Sequence, residues 1–207
     1  MRAVLKKRRL WLSGVWMVCL ALWPVGCATS SESGPETTTY RTVRTSPDRD
    51  TEAARRHHEK GLEALAEGDL EKARSAFERA LEADVAFGPA HNNLGKVLYQ
   101  QKDFYQAAWE FEYARALMPN RSEPLNNLGL VLEKSGELDR AVESYRAALF
   151  IDSENLQTVG NLARALYQRG DRGEELVLLL ERLLAEDQRA DWKVWAQGVL
   201  LSLRGSM

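Results

Sequence analysis

Cysteine is nearly missing from this chain of 207 residues: the two present, Cys19 and Cys27, both fall within its first 27 positions. No disulfide framework and no thiolate metal site can therefore belong to anything downstream. Histidine is almost as scarce, with only His57, His58 and His91. Neighbours on a helix point about 100° apart, so His57 and His58 do not share a metal in the i, i+4 manner, and His91 stands alone. There is no glycine-rich phosphate loop and no nucleophile elbow. These absences point away from an enzyme and call for neither a cofactor nor a metal. Long apolar runs are missing too: the longest, Leu10 to Val25, has 16 residues, short of the roughly 20 that span a bilayer as a helix.

That apolar run belongs to an N-terminal leader. Arg2, Lys6, Lys7, Arg8 and Arg9 precede it and Gly26-Cys27 closes it, the layout of an export signal. Gly-Cys at such a place resembles the signal of bacterial lipoproteins. The resemblance implies a signal peptide over 1–26, cleavage before Cys27, and acylation of Cys27 as a palmitate-type membrane anchor. Ala28 follows the cysteine where inner-membrane retention has aspartate, so the resemblance favours the periplasmic face of the outer membrane. Pro24 stands where that pattern has leucine. Cleavage after Ala28, leaving a soluble secreted or periplasmic chain, is the alternative.

Positive charge is also in short supply once the leader is set aside. Taking its five basic residues from the total of 28 leaves 23 against 30 acidic side chains, a balance of −7. Such a surface argues against nucleic acid as a partner. Residues 27–53, rich in Ser, Thr, Pro and Gly with little to bury, read as a disordered tether.

What is there in abundance is repetition. In frames of 34 residues beginning at Ala54, Gly88, Ser122 and Leu156, position 8 is Gly61, Gly95, Gly129 and Ala163. Position 20 is Ala73, Ala107 and Ala141; position 24 is Phe77, Phe111, Tyr145 and Leu179; position 27 is Ala80, Ala114 and Ala148. Each frame reads as two amphipathic helices around a short break, with Gly68, Gly136 and Gly170 supplying positive backbone angles. Small residues let paired helices approach while an aromatic fills the adjacent gap. The expected domains are 54–87, 88–121, 122–155 and a divergent 156–189, in which Glu175 and Arg182 replace the alanines. Residues 190–207 form a capping helix and tail, with Asp191 as its N-cap and Trp192 and Trp195 on one face.

Asn92-Asn93-Leu94-Gly95 and Asn126-Asn127-Leu128-Gly129, followed by the alanines and the aromatic, resemble the tetratricopeptide repeat. The resemblance covers Ala54 to about Asp187 and implies an all-α solenoid of four helix-turn-helix repeats with a C-terminal capping helix. It also implies a concave groove lined by the first helix of every repeat. Here that groove takes in Asn92, Asn93, Lys96 and Tyr99, then Asn126, Asn127 and Leu130, then Asn161, Arg164 and Tyr167. Amides at one repeat position offer donor and acceptor to the backbone of an extended peptide. The family's carboxylate clamp is not matched, because His58 and Leu62 occupy two of its sites. The expected role is a non-enzymatic adaptor lipoprotein that binds a protein or peptide segment during cell-envelope assembly, similar to pilotins or to adaptors of peptidoglycan hydrolases. Self-association as a homo-oligomer through the Trp192 and Trp195 face is the alternative.

Overall fold

A computed structural model describes residues 49–205 as nine α-helices and no strands among the described residues. In chain order these are α1 (Thr51–Ala66), α2 (Leu70–Ala83), α3 (Gly88–Gln100), α4 (Phe104–Leu117), α5 (Glu123–Lys134), α6 (Leu138–Ile151), α7 (Leu156–Arg169), α8 (Glu174–Glu186) and α9 (Ala190–Gly205). Consecutive helices pack on one another along the whole series, giving an all-α solenoid. Cys27 and the leader lie outside the described residues. Among those described, no helix is long and apolar enough to cross a membrane. The first helix starts at Thr51, capped by Asp50, which accepts a hydrogen bond from the Ala53 amide at 2.8 Å. The helix therefore begins inside the span 27–53 expected as tether, because a good N-cap residue lies upstream of the first repeat frame.

Local chemistry sets the helix ends. Asp69, Asp103 and Asn155 each accept a hydrogen bond from the amide three residues on, while α3 and α5 open with Pro89 and Pro124 in the first turn. The hairpin breaks place one residue in the left-handed region: Gly68 and Gly136 at φ 79°, Gly170 at φ 99° and, at the same repeat position, Lys102 at φ 66°. Only the second repeat makes this turn without glycine.

The position-8 glycines have a specific cause. A Cβ on Gly95 would lie 2.7 Å from a ring carbon of Phe111, and one on Gly129 would lie 2.5 Å from a ring carbon of Tyr145. Each aromatic of the second helix thus sits directly against the bare backbone of the first, and Phe77 does the same at Gly61. Phe77, Phe111 and Tyr145 are wholly buried and, with Ala73, Ala107 and Ala141, belong to one continuous core.

Repeat four departs from the frame by one residue. Its break is longer, α8 begins only at Glu174, and the buried side chains are Leu176, Leu180 and Leu183. The aromatic's seat therefore goes to Leu180, not to Leu179, and the smaller side chain leaves room for Ala163 in place of glycine. Glu175 and Arg182 turn outward, where they pair with Arg146 and with Glu154 and Glu186.

Helix α9 caps the stack as though it were the first helix of a fifth repeat. Ala196, Val199, Leu200 and Leu203 are buried against the preceding repeat. The helix starts at Ala190, so Asp191 lies inside its first turn and is not its N-cap. Trp192 and Trp195 are half-buried and are not presented as an outer face. Trp192 lies over Gly160, where a Cβ would come within 2.8 Å of its ring, and receives the guanidinium groups of Arg164 and Arg189 at 5.3 and 5.2 Å from the ring centre.

Candidate functional site

The first helices of repeats one to three frame a groove of about 560 Å³ lined by His58, Asn92, Asn93, Lys96, Asn126 and Asn127, with Arg121, Glu123, Asn155 and Gln157 at its edge. Five of the expected groove residues meet there. The helix period explains this: repeat positions 5, 6 and 9 share one face, and stacking brings those faces side by side.

The asparagines do more than line it. The Asn93 side-chain amide donates to His58 Nε2 at 2.8 Å, Asn127 donates to Asn92 Oδ1 at 3.0 Å, and Asn161 donates to Asn126 Oδ1 at 2.9 Å. Position 6 of each repeat thus grips position 5 of the one before it. Asn126 is satisfied further by the Thr158 hydroxyl at 3.1 Å and, like Asn161, is buried. The donors expected to hold a peptide are already engaged between repeats, and the groups left to a ligand are the remaining amide oxygens and hydrogens of Asn92, Asn93 and Asn127. Lys96 is exposed and reaches only Asn93 Oδ1, at 3.4 Å.

Arg164 and Tyr167 do not join this groove. Arg164 makes two hydrogen bonds to Glu133, at 2.7 and 3.0 Å, and the same carboxylate accepts from the Tyr145 hydroxyl at 2.9 Å. Burial works against the Arg164 charge, but the Glu133 carboxylate outweighs it and holds the guanidinium above its ordinary pKa. Burial beside the same carboxylate pushes the Tyr145 phenol up and keeps it neutral. Tyr167 packs edge-on against Trp195 at 6.3 Å and carries Arg172 over its face at 4.4 Å. Glu133 of α5 thus holds Arg164, with Trp192 of the cap over it, and the cap takes Tyr167. Tyr99 rests against Phe104 at 5.6 Å, and both Tyr99 and Leu130 are half-buried at the core's edge.

The histidines serve opposite ends of the charge scale. Burial lowers the pKa of His58, whose Nε2 accepts from Asn93 as a neutral imidazole does. His91 is also buried, which by itself lowers its pKa, but Glu110 at 2.6 Å and the Val85 carbonyl at 2.9 Å outweigh that and raise it. No group of three or more His, Cys, Asp or Glu among the described residues is placed to hold a metal ion.

Helical hairpins of constant length, stacked through small residues and ended by a cap, define a helical-repeat interaction scaffold. The family model for the tetratricopeptide repeat matches residues 58–121, 106–156 and 126–191, and the chain belongs to that family. It is similar to a tetratricopeptide-repeat-containing protein of Pseudomonas aeruginosa, at 34% identity over 121 residues, 58% of this chain and 49% of that one. Among solved structures it resembles MamA, with a TM-score of 0.61 and 21% identity over 67% of this chain and 81% of MamA. It also resembles the first repeat domain of Spaghetti bound to an HSP90 peptide, with a TM-score of 0.59 and 18% identity over 61% of this chain and all of that one. At such identities the structural likeness shows the fold alone. The chain spans 49% of the length of the Pseudomonas relative and 19 to 20% of two further curated relatives.

Proposed function

We propose that this chain is a non-enzymatic adaptor that holds an extended protein segment in the amide-lined groove of repeats one to three. The observation that carries the reading is Lys96. It is exposed on the groove wall, forms no ion pair among the described residues, and stands among Asn92, Asn93 and Asn127, whose unspent amide groups suit a peptide backbone. A segment with an acidic side chain opposite Lys96 fits this chemistry. The leader adds a place: acylation of Cys27 would hold the adaptor on a membrane, and an envelope-assembly role of the pilotin or hydrolase-adaptor kind follows from that location. A photo-crosslinker at Gln157, on the groove's edge, should capture the segment in the native membrane. Lys96→Glu should cut the yield at least tenfold with an unchanged melting curve; an unchanged yield would refute the groove reading. Labelled palmitate that persists in Cys27→Ser would remove the anchor.

A further inference from the structure

Helix α4 breaks the pattern of its neighbours. A solenoid's outer helix turns apolar residues inward and polar ones outward, yet the outer face of α4 carries Tyr105, Trp109 and Tyr113, exposed by 74, 53 and 52%. One period earlier those positions are Glu71, Ser75 and Arg79, and one period later Asp139, Glu143 and Ala147. The architecture therefore tolerates small or polar side chains there; Tyr113 stacks on His91 at 5.4 Å between ring centres, whereas Tyr105 and Trp109 answer some other need. The three rings contact one another along the helix, with centroids 6.5 and 6.2 Å apart.

Beside this strip, between α4 and α6, opens a groove of about 400 Å³ walled by Ala108 and Trp109 and floored by Leu128, Val131 and Leu132 of α5. The corresponding furrow one repeat earlier, between α2 and α4, has an equivalent floor of Leu94 and Leu98 but is walled by Arg74, Glu78, Glu82 and Glu110 beside Leu81. At the rim of the apolar groove Glu137 pairs with Arg140, and Glu112 with Arg115. No charge is left there to recruit a charged side chain, so an apolar one is the matching occupant.

The same face carries that side chain. Phe150 of α6 is 92% exposed. Glu143 is the α6 residue equivalent to Trp109, and Phe150 lies about 10 Å beyond it toward the C-terminal end, at ~1.5 Å per residue. The groove opens a similar distance toward the other end, around Ser135, Glu137 and Arg140. A two-fold axis crossing α4 at Trp109, perpendicular to the helix, exchanges those two ends. It sets Tyr105 against Tyr113 of a second copy and brings Phe150 opposite position 136, between two residues of that copy's groove wall. It also brings the exposed Lys102 to the last turn of the second copy's α4, beside its carbonyl end. Ring, knob and hole are each supplied once per chain and matched twice per pair.

We infer that two copies of this chain associate antiparallel through the outer face of α4, the Phe150 of each seated in the other's groove between α4 and α6. The test uses the full chain, expressed with benzoylphenylalanine at position 150 and mixed from ordinary and nitrogen-15-labelled material. Irradiation should yield mixed-isotope crosslinks from position 150 to residues 128–140. Trp109→Ser, which installs the residue α2 carries at that position, should lower the yield at least tenfold with helix content unchanged, whereas Trp109→Phe should keep it within twofold. Lys96→Glu, in the other groove, should leave it untouched. Absence of a crosslink between copies, a crosslink to a different protein, or indifference to Trp109→Ser would overturn the inference.

Discussion

Replacing Gly129 by alanine tests the packing rule on which the repeats depend. The added Cβ would lie 2.5, 2.7 and 2.8 Å from three ring carbons of Tyr145, whereas carbon atoms rest comfortably at about 3.5–4.0 Å. The ring would have to retreat by roughly 1 Å, but it is fully buried and its hydroxyl is held by Glu133 at 2.9 Å. Overpacking costs about 1–3 kcal/mol, and a pinned ring belongs at the upper end. Alanine regains about 1 kcal/mol as the better helix former. The net loss is about 2 kcal/mol, a fall in melting temperature of about 4–8 °C for a domain of this size, read by circular dichroism at 222 nm. Adding Tyr145→Leu imitates the Ala163 and Leu180 pairing of repeat four, so a double-mutant cycle should show a favourable coupling of about 2 kcal/mol. A Gly129→Ala variant that melts at or above the parent temperature would refute the ring-on-glycine account.

Two further outcomes follow from single residues. Lys102→Gly relieves the one non-glycine residue in the left-handed region among the described residues and should raise stability by about 0.5–1 kcal/mol in urea titration; no gain would mean that the turn is unstrained. His91 has a raised folded pKa because Glu110 and the Val85 carbonyl outweigh its burial. Its stabilisation is therefore complete below about pH 6.5 and is lost as pH rises through the raised value. The gap in urea midpoint between the parent and His91→Gln should narrow from about pH 6 to pH 8, and a widening gap would contradict the pairing.

The solenoid was legible because a constant interval between small and aromatic residues reports helix contacts directly. Repeat four was legible only in outline. One additional residue around Arg172 and Gly173 moves every following side chain by about 100°, which a fixed frame carries forward as an error at Leu179. The groove residues of repeats two and three came from the family resemblance: Asn92, Asn93, Lys96, Asn126 and Asn127 line one hollow, while Tyr99 and Leu130 rest at the core's edge. The resemblance misplaced Arg164 and Tyr167, because the cap that covers them packs through Trp192 on Gly160, a glycine that the period leaves unexplained. The aromatics of α4 were present in the same frames, but only a comparison of Tyr105, Trp109 and Tyr113 with their counterparts in α2 and α6 separates them from ordinary surface.

The asparagine rungs carry a mechanical consequence. Asn93, Asn127 and Asn161 each bolt a repeat to the one before it, and the first two border the hollow in which a ligand would lie. Occupancy and superhelical pitch are therefore not independent: a guest that competes for these amides slackens the spring, and one that accepts only the spare valences stiffens it. The His58 joint is the terminal coil of that spring, and because its imidazole must stay unprotonated to receive Asn93, acid loosens the array from its first turn onward.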